Sequence, residues 1–492
     1  MARDLPELEE VLDRSGAAEL IEPHMPSGGR PRQLPVRSLL LGIMLCLADD
    51  RPALLSRAHG ALVSLPSPER ERLCVTVSWR GGPHELTYRQ FEHTFGSLAA
   101  LFCAEMVDGR PGPLLSAVTD ALVEASIPDD EKGGRDLAVD WTDVESFARP
   151  GRSGRPSYDP DASFGHRRGD APGKDHEVFF GYYLQLATMT ASVGSPRKPE
   201  LVRRMLLTSC HVDPPPAFVP VLVRLWGSGV SPGDVLSDCG YSERVARNWA
   251  LPLRAAGASL VHDLHPNDRG TKGTFGGAVV WCGELYCPAT PASLFALGPL
   301  SRKASKEETA AHDRTFSELS SYRLSRICSD DADGYHRVVC PAVADKLRCP
   351  LRPESMSRPY DRPEIATVPQ HPQTCCTQKT MTVPPTVAEK TAQHEVYPGP
   401  QWRKSYARRS GAERSNATLK DPARVSIEKG WCRVAGLPAV TIMLACLVVV
   451  RNLRVVDSFE ENERRATTTT TRTRRRRRTS LDELAASTRP PP

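Results

Sequence analysis

Apolar positions recur three or four residues apart in three successive stretches between Leu34 and about Ala104, namely SLLLGIMLCLADD, ALLSRAHGALVSL and TYRQFEHTFGSLAALFCAEM. That is the period of amphipathic helices, and it predicts a helical amino-terminal domain over residues 1–130. The pattern then changes. After the linker-like run DDEKGGRD, Leu137-Ala-Val-Asp140-Trp141-Thr142 reads as a short strand that delivers a carboxylate at its carboxyl end. A loop rich in Gly, Pro, Ser and Arg follows from Arg149 to about Lys174. The run from Val178 to Met189 then reads as a strand, and a third strand near Leu201 to Ser209 would complete an antiparallel meander.

From Ala217 the run AFVPVLVRLW is helical, Gly233 breaks it, and Val235-Leu-Ser-Asp238 is a short strand ending in a second carboxylate. SERVARNWALPLRAAG predicts a helix with Ser242 as its cap, and Ala258-Ser-Leu-Val-His262-Asp263 predicts a further strand. This is a β-α-β unit. In open α/β sheets, ligand and metal sites lie at the carboxyl ends of the strands, where Asp140 and Asp238 fall.

Between about Leu264 and Gln401 the periodicity is poor, with many prolines and seven cysteines, which predicts an irregular insertion over residues 266–400. It would divide an α/β domain into residues 131–265 and 401–458. Helical spacing returns at Trp402. The most apolar stretch, Leu437 to Val450, is 14 residues long, short of the roughly 20 that span a bilayer, and is expected to be a buried core helix. Residues 459–492, with Thr467 to Thr471, Arg474 to Arg478 and a terminal Pro490-Pro-Pro, are expected to be a disordered basic tail.

Length and composition narrow the class. A chain of 492 residues is too long for one ordinary core, and 44 prolines fit long connections. The opening MARDLPELEEVLDRSG is acidic and lacks an apolar leader, so secretion is not expected, and the 14 scattered cysteines are read as reduced thiols. The net charge of +5 decides little, so nucleic-acid contacts must be sought locally. Arg30, Arg32 and Arg37 could face phosphates or form a solvated rim.

The candidate chemistry lies in Tyr406, Arg409, Glu413 and Lys420. At about 100° per residue these four fall within roughly a 60° stripe of one helix. An acid that holds a metal, two cations that neutralise phosphates and a hydroxyl that positions a backbone oxygen serve one chemistry, phosphoryl transfer. A solvent-facing Arg409–Glu413 pair would account for two of the residues but not for the set.

The segment resembles the Tyr-Arg-Glu-Lys signature of bacterial insertion-sequence DDE transposases. Asp140-Trp-Thr142 resembles the first Asp-x-Thr strand of that family, and Asp238-Cys-Gly240-Tyr241-Ser242 resembles its second Asp-x-Gly-Tyr motif. The resemblance runs from about residue 137 to 457. It implies an RNase H-like mixed sheet flanked by helices, with Asp140, Asp238 and Glu413 binding two Mg²⁺ ions. It also implies Tyr406, Arg409 and Lys420 on phosphates, with double-stranded DNA, both terminal inverted repeats and target, as substrate. A synaptic homodimer, a cytoplasmic nucleoid-associated location and no membrane follow from the same reading. Asp263, also at a strand end, competes for the second position but lacks the Gly-Tyr turn. The rival reading is a catalytically inactive, transposase-derived DNA-binding protein.

Within the insertion, Cys340, Cys349, Cys375 and Cys376 are a candidate zinc set, although no Cys-x2-Cys pair is present. Cys282 and Cys287 are a second pair. Trp281 and Trp402 could stack on an unpaired base, with core burial the default, and His262 and His265 are expected to be structural.

Overall fold

The computed structural model describes residues 5–27, 32–79, 82–152, 155–167, 177–301, 303–331 and 333–473. It is a mixed α/β protein.

Five principal helices precede the central sheet: α1 (Leu5–Ser15), α2 (Val36–Ala48), α3 (Leu55–Val63), α4 (Tyr88–Cys103) and α5 (Pro113–Ala125). The three stretches with helical spacing thus form α2, α3 and α4. Thr87 and Gln90 start α4 by a reciprocal capping box, and Pro113 opens α5, where its missing N–H costs nothing.

The central sheet has six strands: β1 (Leu137–Glu145), β2 (Ser163–Arg167), β3 (Glu177–Met189), β4 (Val202–Ser209), β5 (Asp234–Ser237) and β6 (Ser259–His262). β3 pairs antiparallel with β1, β2 and β4, while β5 runs parallel to β1, and β6 parallel to β5. The expected meander is present in β1, β3 and β4, and the expected parallel pair in β5 and β6, connected by short helical pieces; α6 (Pro214–Gly227) lies between β4 and β5.

Alternation along the strands sends side chains into two cores. Tyr182, Leu184, Leu186, Met205 and Leu207 join one buried cluster, while Leu137, Val139, Ala187 and Leu206 join another with Phe218 and Leu222 of α6. The first cluster draws residues from both sides of the expected boundary near residue 130. It unites residues of α1 to α5 with one sheet face and with α7 (Leu437–Thr473), so the amino-terminal helices share a core with the sheet. Buried ion pairs add to this junction: Glu124 of α5 accepts from Arg203 Nη2 at 2.8 Å and Arg204 Nη1 at 2.6 Å on β4.

Residues Leu437 to Val450 are core, as their apolarity predicts. Among the described residues one helical segment, 437–466, is long and apolar enough to cross a membrane, yet 83% of its apolar window is buried within the fold. Asn452 of the same helix bonds both backbone groups of Val202, donating to its carbonyl at 2.7 Å and accepting its N–H at 2.9 Å. The helix continues to Thr473, so residues 459–473 are helical rather than disordered, and the run Arg474 to Arg478 lies outside the described residues.

The insertion is more regular than its sequence suggests. β7 (Thr271–Phe275), β8 (Ala278–Trp281) and β9 (Glu284–Tyr286) form one antiparallel sheet. β10 (Ser325–Arg326), β11 (His336–Val339) and β12 (Thr380–Val383) form another. Two-residue turns at Gly276-Gly277 (φ 54° and 87°) and Cys282-Gly283 (φ 48° and 93°) join the first sheet. The helix of residues Lys306–Ser321 starts with a Ser305–Glu308 capping box.

Candidate functional site

Two carboxylates reach one level of the sheet through strand register. Ala138 of β1 faces Leu236 of the parallel β5, so two residues further on Asp140 comes opposite Asp238, immediately past the last residue of β5. Asp238 turns its carboxylate back to accept the Gly240 N–H at 2.9 Å, capping the short helical turn Cys239–Ser242. The expected cap, Ser242, instead ends this turn and donates to the Asp263 carbonyl at 2.7 Å, and the expected single helix is broken into short pieces. Glycine at 240 is required by close approach, because a Cβ there would meet Trp141 Cη2 at 2.6 Å and Asp238 Oδ1 at 3.1 Å.

The third carboxylate arrives on a helix pair. The predicted single helix divides at Arg408 and Arg409 into Pro400–Ala407 and Ser410–Leu419. Arg408 holds this joint on the sheet: it donates to Asp136 Oδ2 at 2.7 Å and to Asp234 Oδ2, while Asp136 accepts the Asp234 N–H at 3.0 Å. The second helix is fastened from behind by Ser415, which bonds Thr188 of β3 at 3.0 Å and Arg451 of α7 at 2.8 Å.

Arg409 lies between the acids. Its Nη2 bonds Glu413, and its Nη1 stands 3.6 Å from Asp140 Oδ2 with no hydrogen-bond partner. Asp140 also accepts from its own strand neighbour, Trp141 N, at 3.0 Å and from Asn416 Nδ2 at 3.1 Å. Burial pushes the Asp140 carboxyl up to about 6; Arg409 opposes the rise, while Asp238 and Glu413 add to it. Asp238 and Glu413 therefore each act on Asp140 through space.

The remaining members of the stripe diverge. Lys420 follows the second helix and binds Asp143 Oδ1 at 2.7 Å, opposite Arg167, whose Nη1 reaches Asp143 at 2.9 Å and Glu145 at 2.8 Å. Tyr406 is stacked on Trp402 at 4.8 Å between ring centroids, and burial drives its hydroxyl well above the ordinary tyrosine range. A groove of about 1260 Å³ runs along this edge, with Asp140, Asp238, Arg167, Arg244 and Lys420 in its walls. Glu413 does not line that groove.

Asn416 and Asp143 were missed as site residues by the sequence reading. Asn416 carried a signal, since 409, 413, 416 and 420 continue the helical spacing of three and four. Asp143 carried none beyond its place on the first strand.

Asp263 is engaged elsewhere, accepting from Arg269 Nη2 at 3.1 Å and from the Tyr397 hydroxyl at 3.1 Å. Trp281 and Trp402 are core residues whose indole N–H groups donate to the carbonyls of Phe295 and His262. His262 is fully buried, and His265 accepts the Asn267 N–H at 3.2 Å. Arg32 pairs with Glu22 and Arg37 with Asp13 and Glu9, so both are spent on ion pairs within the helical region, and Arg30 lies outside the described residues.

Among the cysteines, Cys340, Cys349 and Cys375 are buried and Cys376 is half-buried, with the Cys375 and Cys376 sulfurs 3.7 Å apart. Cys282 accepts the Gly270 N–H on its sulfur at 3.2 Å. Among the described residues no group of three or more His, Cys, Asp and Glu side chains is already arranged to hold a metal ion.

No family model, curated protein or solved structure matches the chain in the comparisons made.

Proposed function

We propose that the chain is a DNA transposase of the DDE type, with an RNase H-like catalytic domain that cleaves element ends and joins them to target DNA. The observation that carries this reading is the parallel pairing of Ala138 with Leu236, which brings Asp140 of β1 level with Asp238 just past the end of β5, with Arg409 between Asp140 and Glu413. A mixed sheet with one acid within its first strand, one just past the end of the parallel neighbour and a third on a later helix agrees with the Tyr-Arg-Glu-Lys resemblance.

The donor set fits Mg²⁺. It is made of carboxylate oxygens, and Mg²⁺ is ordinarily held by only one or two protein carboxylates together with water and phosphate. The buried Nη1 of Arg409, facing Asp140 without a hydrogen bond, is a positive charge already placed against this acidic cluster. Asp140, Asp238 and Glu413 would hold two Mg²⁺ ions, which supply activation of an attacking oxygen and stabilisation of the leaving one.

The protein's own groups have separate tasks. Asn416 fixes the orientation of the Asp140 carboxylate, and the Gly240 amide fixes that of Asp238. Arg409 offsets the mutual repulsion of the acids. Arg167 and Lys420 line the groove, both bonded to Asp143, and would exchange that pairing for backbone phosphates of double-stranded DNA. Two ends must be joined in one event, so the working form is a homodimer holding terminal repeats and target.

The test uses labelled DNA from both flanks of the coding sequence together with a supercoiled plasmid and Mg²⁺. Nicks at discrete positions, followed by joining of labelled 3′ ends to the plasmid, are expected. Binding to the flanks without nicks or joining would favour the inactive DNA-binding reading.

A further inference from the structure

A second groove lies behind the helix that carries Glu413. It encloses about 1100 Å³ between the connection from β3 to β4 (residues 190–200), the helix Ser410–Leu419 with the loop after it, and α7. At about 100° per residue, Glu413, Asn416 and Lys420 fall on one side of this helix and Ser410, Arg414 and Thr418 on another, roughly 120° around it. Asn416 and Lys420 bond Asp140 and Asp143, whereas Ser410, Arg414 and Thr418 line the second groove. The two grooves have no lining residue in common.

The walls of this groove are positive. Eight lysines and arginines line it against two acids, Glu200 and Asp421. Part of the charge is compensated: Arg408 pairs with Asp136 and Asp234, Lys198 with Glu131, and Arg454 with Asp50. Arg197 and Lys404 are exposed and form no ion pair among the described residues. Arg451, 7% exposed, donates only to uncharged oxygens: Thr418 Oγ1 at 3.1 Å, Ser415 Oγ at 2.8 Å, Asn452 Oδ1 at 3.2 Å and the Glu200 carbonyl at 2.9 Å. The Glu200 carboxylate is held instead by Arg414 Nε at 2.7 Å. Burying a cation among neutral acceptors costs solvation, and burial lowers this guanidinium to about 10. An anion in the groove supplies the charge that the fold leaves out.

The floor decides which anion. Leu419, Val425 and Leu447 are 1, 4 and 3% exposed, so their apolar surface is already covered, whereas an acidic amphipathic helix would need an open apolar face on which to lie. What remains open is a rim of long cationic side chains, which suits the closely spaced phosphates of a nucleic-acid backbone. We propose that this groove is a second contact for double-stranded DNA, made through backbone phosphates without regard to base sequence and separate from the groove that holds the acids. The proposal rests on the transposase reading, since an enzyme that joins an element end to target DNA must hold two duplexes.

The test measures binding of the full-length chain to a short fluorescent duplex of arbitrary sequence, without Mg²⁺, by anisotropy at several salt concentrations. The double variant Arg197→Ala with Lys404→Ala is compared with Lys132→Ala with Arg358→Ala, which removes the same charge from positions outside the groove. The logarithm of affinity falls linearly with the logarithm of salt concentration, with a slope of about 0.9 per phosphate neutralised. The groove variant should therefore reduce the magnitude of the slope by about 2, and the comparison variant should leave it unchanged. Arg197 and Lys404 are exposed, so the groove variant is expected to fold. An unchanged slope in the groove variant, or an equal reduction in both, overturns the proposal. So does tighter binding of polyglutamate than of the duplex, which would assign the groove to an acidic protein. Binding is read without metal or cleavage, so the two readings fail separately: a reduced slope without nicking by the wild type keeps the groove and removes the transposase, and nicking with an unchanged slope does the reverse.

Discussion

Arg409 Nη1 lies 3.6 Å from Asp140 Oδ2 while Nη2 of the same guanidinium bonds Glu413. One cation thereby connects the first strand of the sheet with the helix that brings the third acid. Replacing Arg409 with Ala should strengthen Mg²⁺ binding, because the acids lose their resident positive charge. It should also lower the rate of DNA nicking at saturating Mg²⁺ by about 100-fold, the scale for removing one preorganised group that stabilises charge in a transition state. Calorimetric titration with Mg²⁺ and single-turnover nicking check the two halves separately. Weaker metal binding with an unchanged rate would remove Arg409 from this role.

Arg408 serves the fold instead. It is buried against Asp136 and Asp234, joining the helix break to the starts of β1 and β5. Arg408→Ala removes the cation that Asp136 and Asp234 share, leaving Asp234 only its contact with His394, and should destabilise the protein by about 3–5 kcal/mol in urea unfolding. Adding Asp136→Asn and Asp234→Asn to Arg408→Ala should recover part of the loss. A triple variant less stable than Arg408→Ala alone would show that the acids are not the source of the cost.

Gly240 bears on the site through space rather than through backbone conformation. Gly240→Ala drives a methyl group into the Trp141 ring and the Asp238 carboxylate, so one of them must shift. Nicking should fall about 100-fold, the scale on which small misplacements reduce rates, with the far-ultraviolet dichroism preserved. Wild-type activity in this variant would mean that the Asp238 turn has slack that the packing does not show.

His262 supplies a pH signature. It is fully buried, neither ring nitrogen has a hydrogen-bond partner, and burial pushes the imidazole down to about 3. Above an ordinary value near 6.5 both folded and unfolded chains hold it neutral. As pH falls from 6.5 toward 3 only the unfolded chain takes up the proton, so native stability is lost across that window. Between pH 7 and pH 5 the stability of His262→Leu relative to wild type should improve by about 2 kcal/mol, measured by urea unfolding at both values. An unchanged difference would mean that His262 titrates in the native protein.

The parts of the site that local pattern encodes were legible in the sequence. Asp140 and Asp238 stand out because each follows a short apolar run, although the first strand does not end at Asp140 as expected but stays paired to β3 as far as Glu145, and the spacing from Arg409 to Lys420 places Glu413 on a helix. What escaped depends on contacts distant in sequence. Nothing near Arg408 announces Asp136 and Asp234, more than 170 residues away, and nothing in α1 to α5 announces that they share a core with α7. The helix divides at Arg408 and Arg409 although the spacing runs straight through. In the insertion the turn signals were present, Gly276-Gly277, Cys282-Gly283 and Ser305-x-x-Glu308. The strands between them are only three to five residues long, too short for alternation to register.

The most direct measurement compares Mg²⁺-dependent nicking of a supercoiled plasmid carrying the flanking DNA by the wild type and by Glu413→Gln. Glu413→Gln keeps the shape of the side chain and removes its charge, so the fold and DNA binding should persist. The account predicts discrete nicks with the wild type and none above background with Glu413→Gln at equal DNA occupancy. Equal nicking by the two proteins would contradict it.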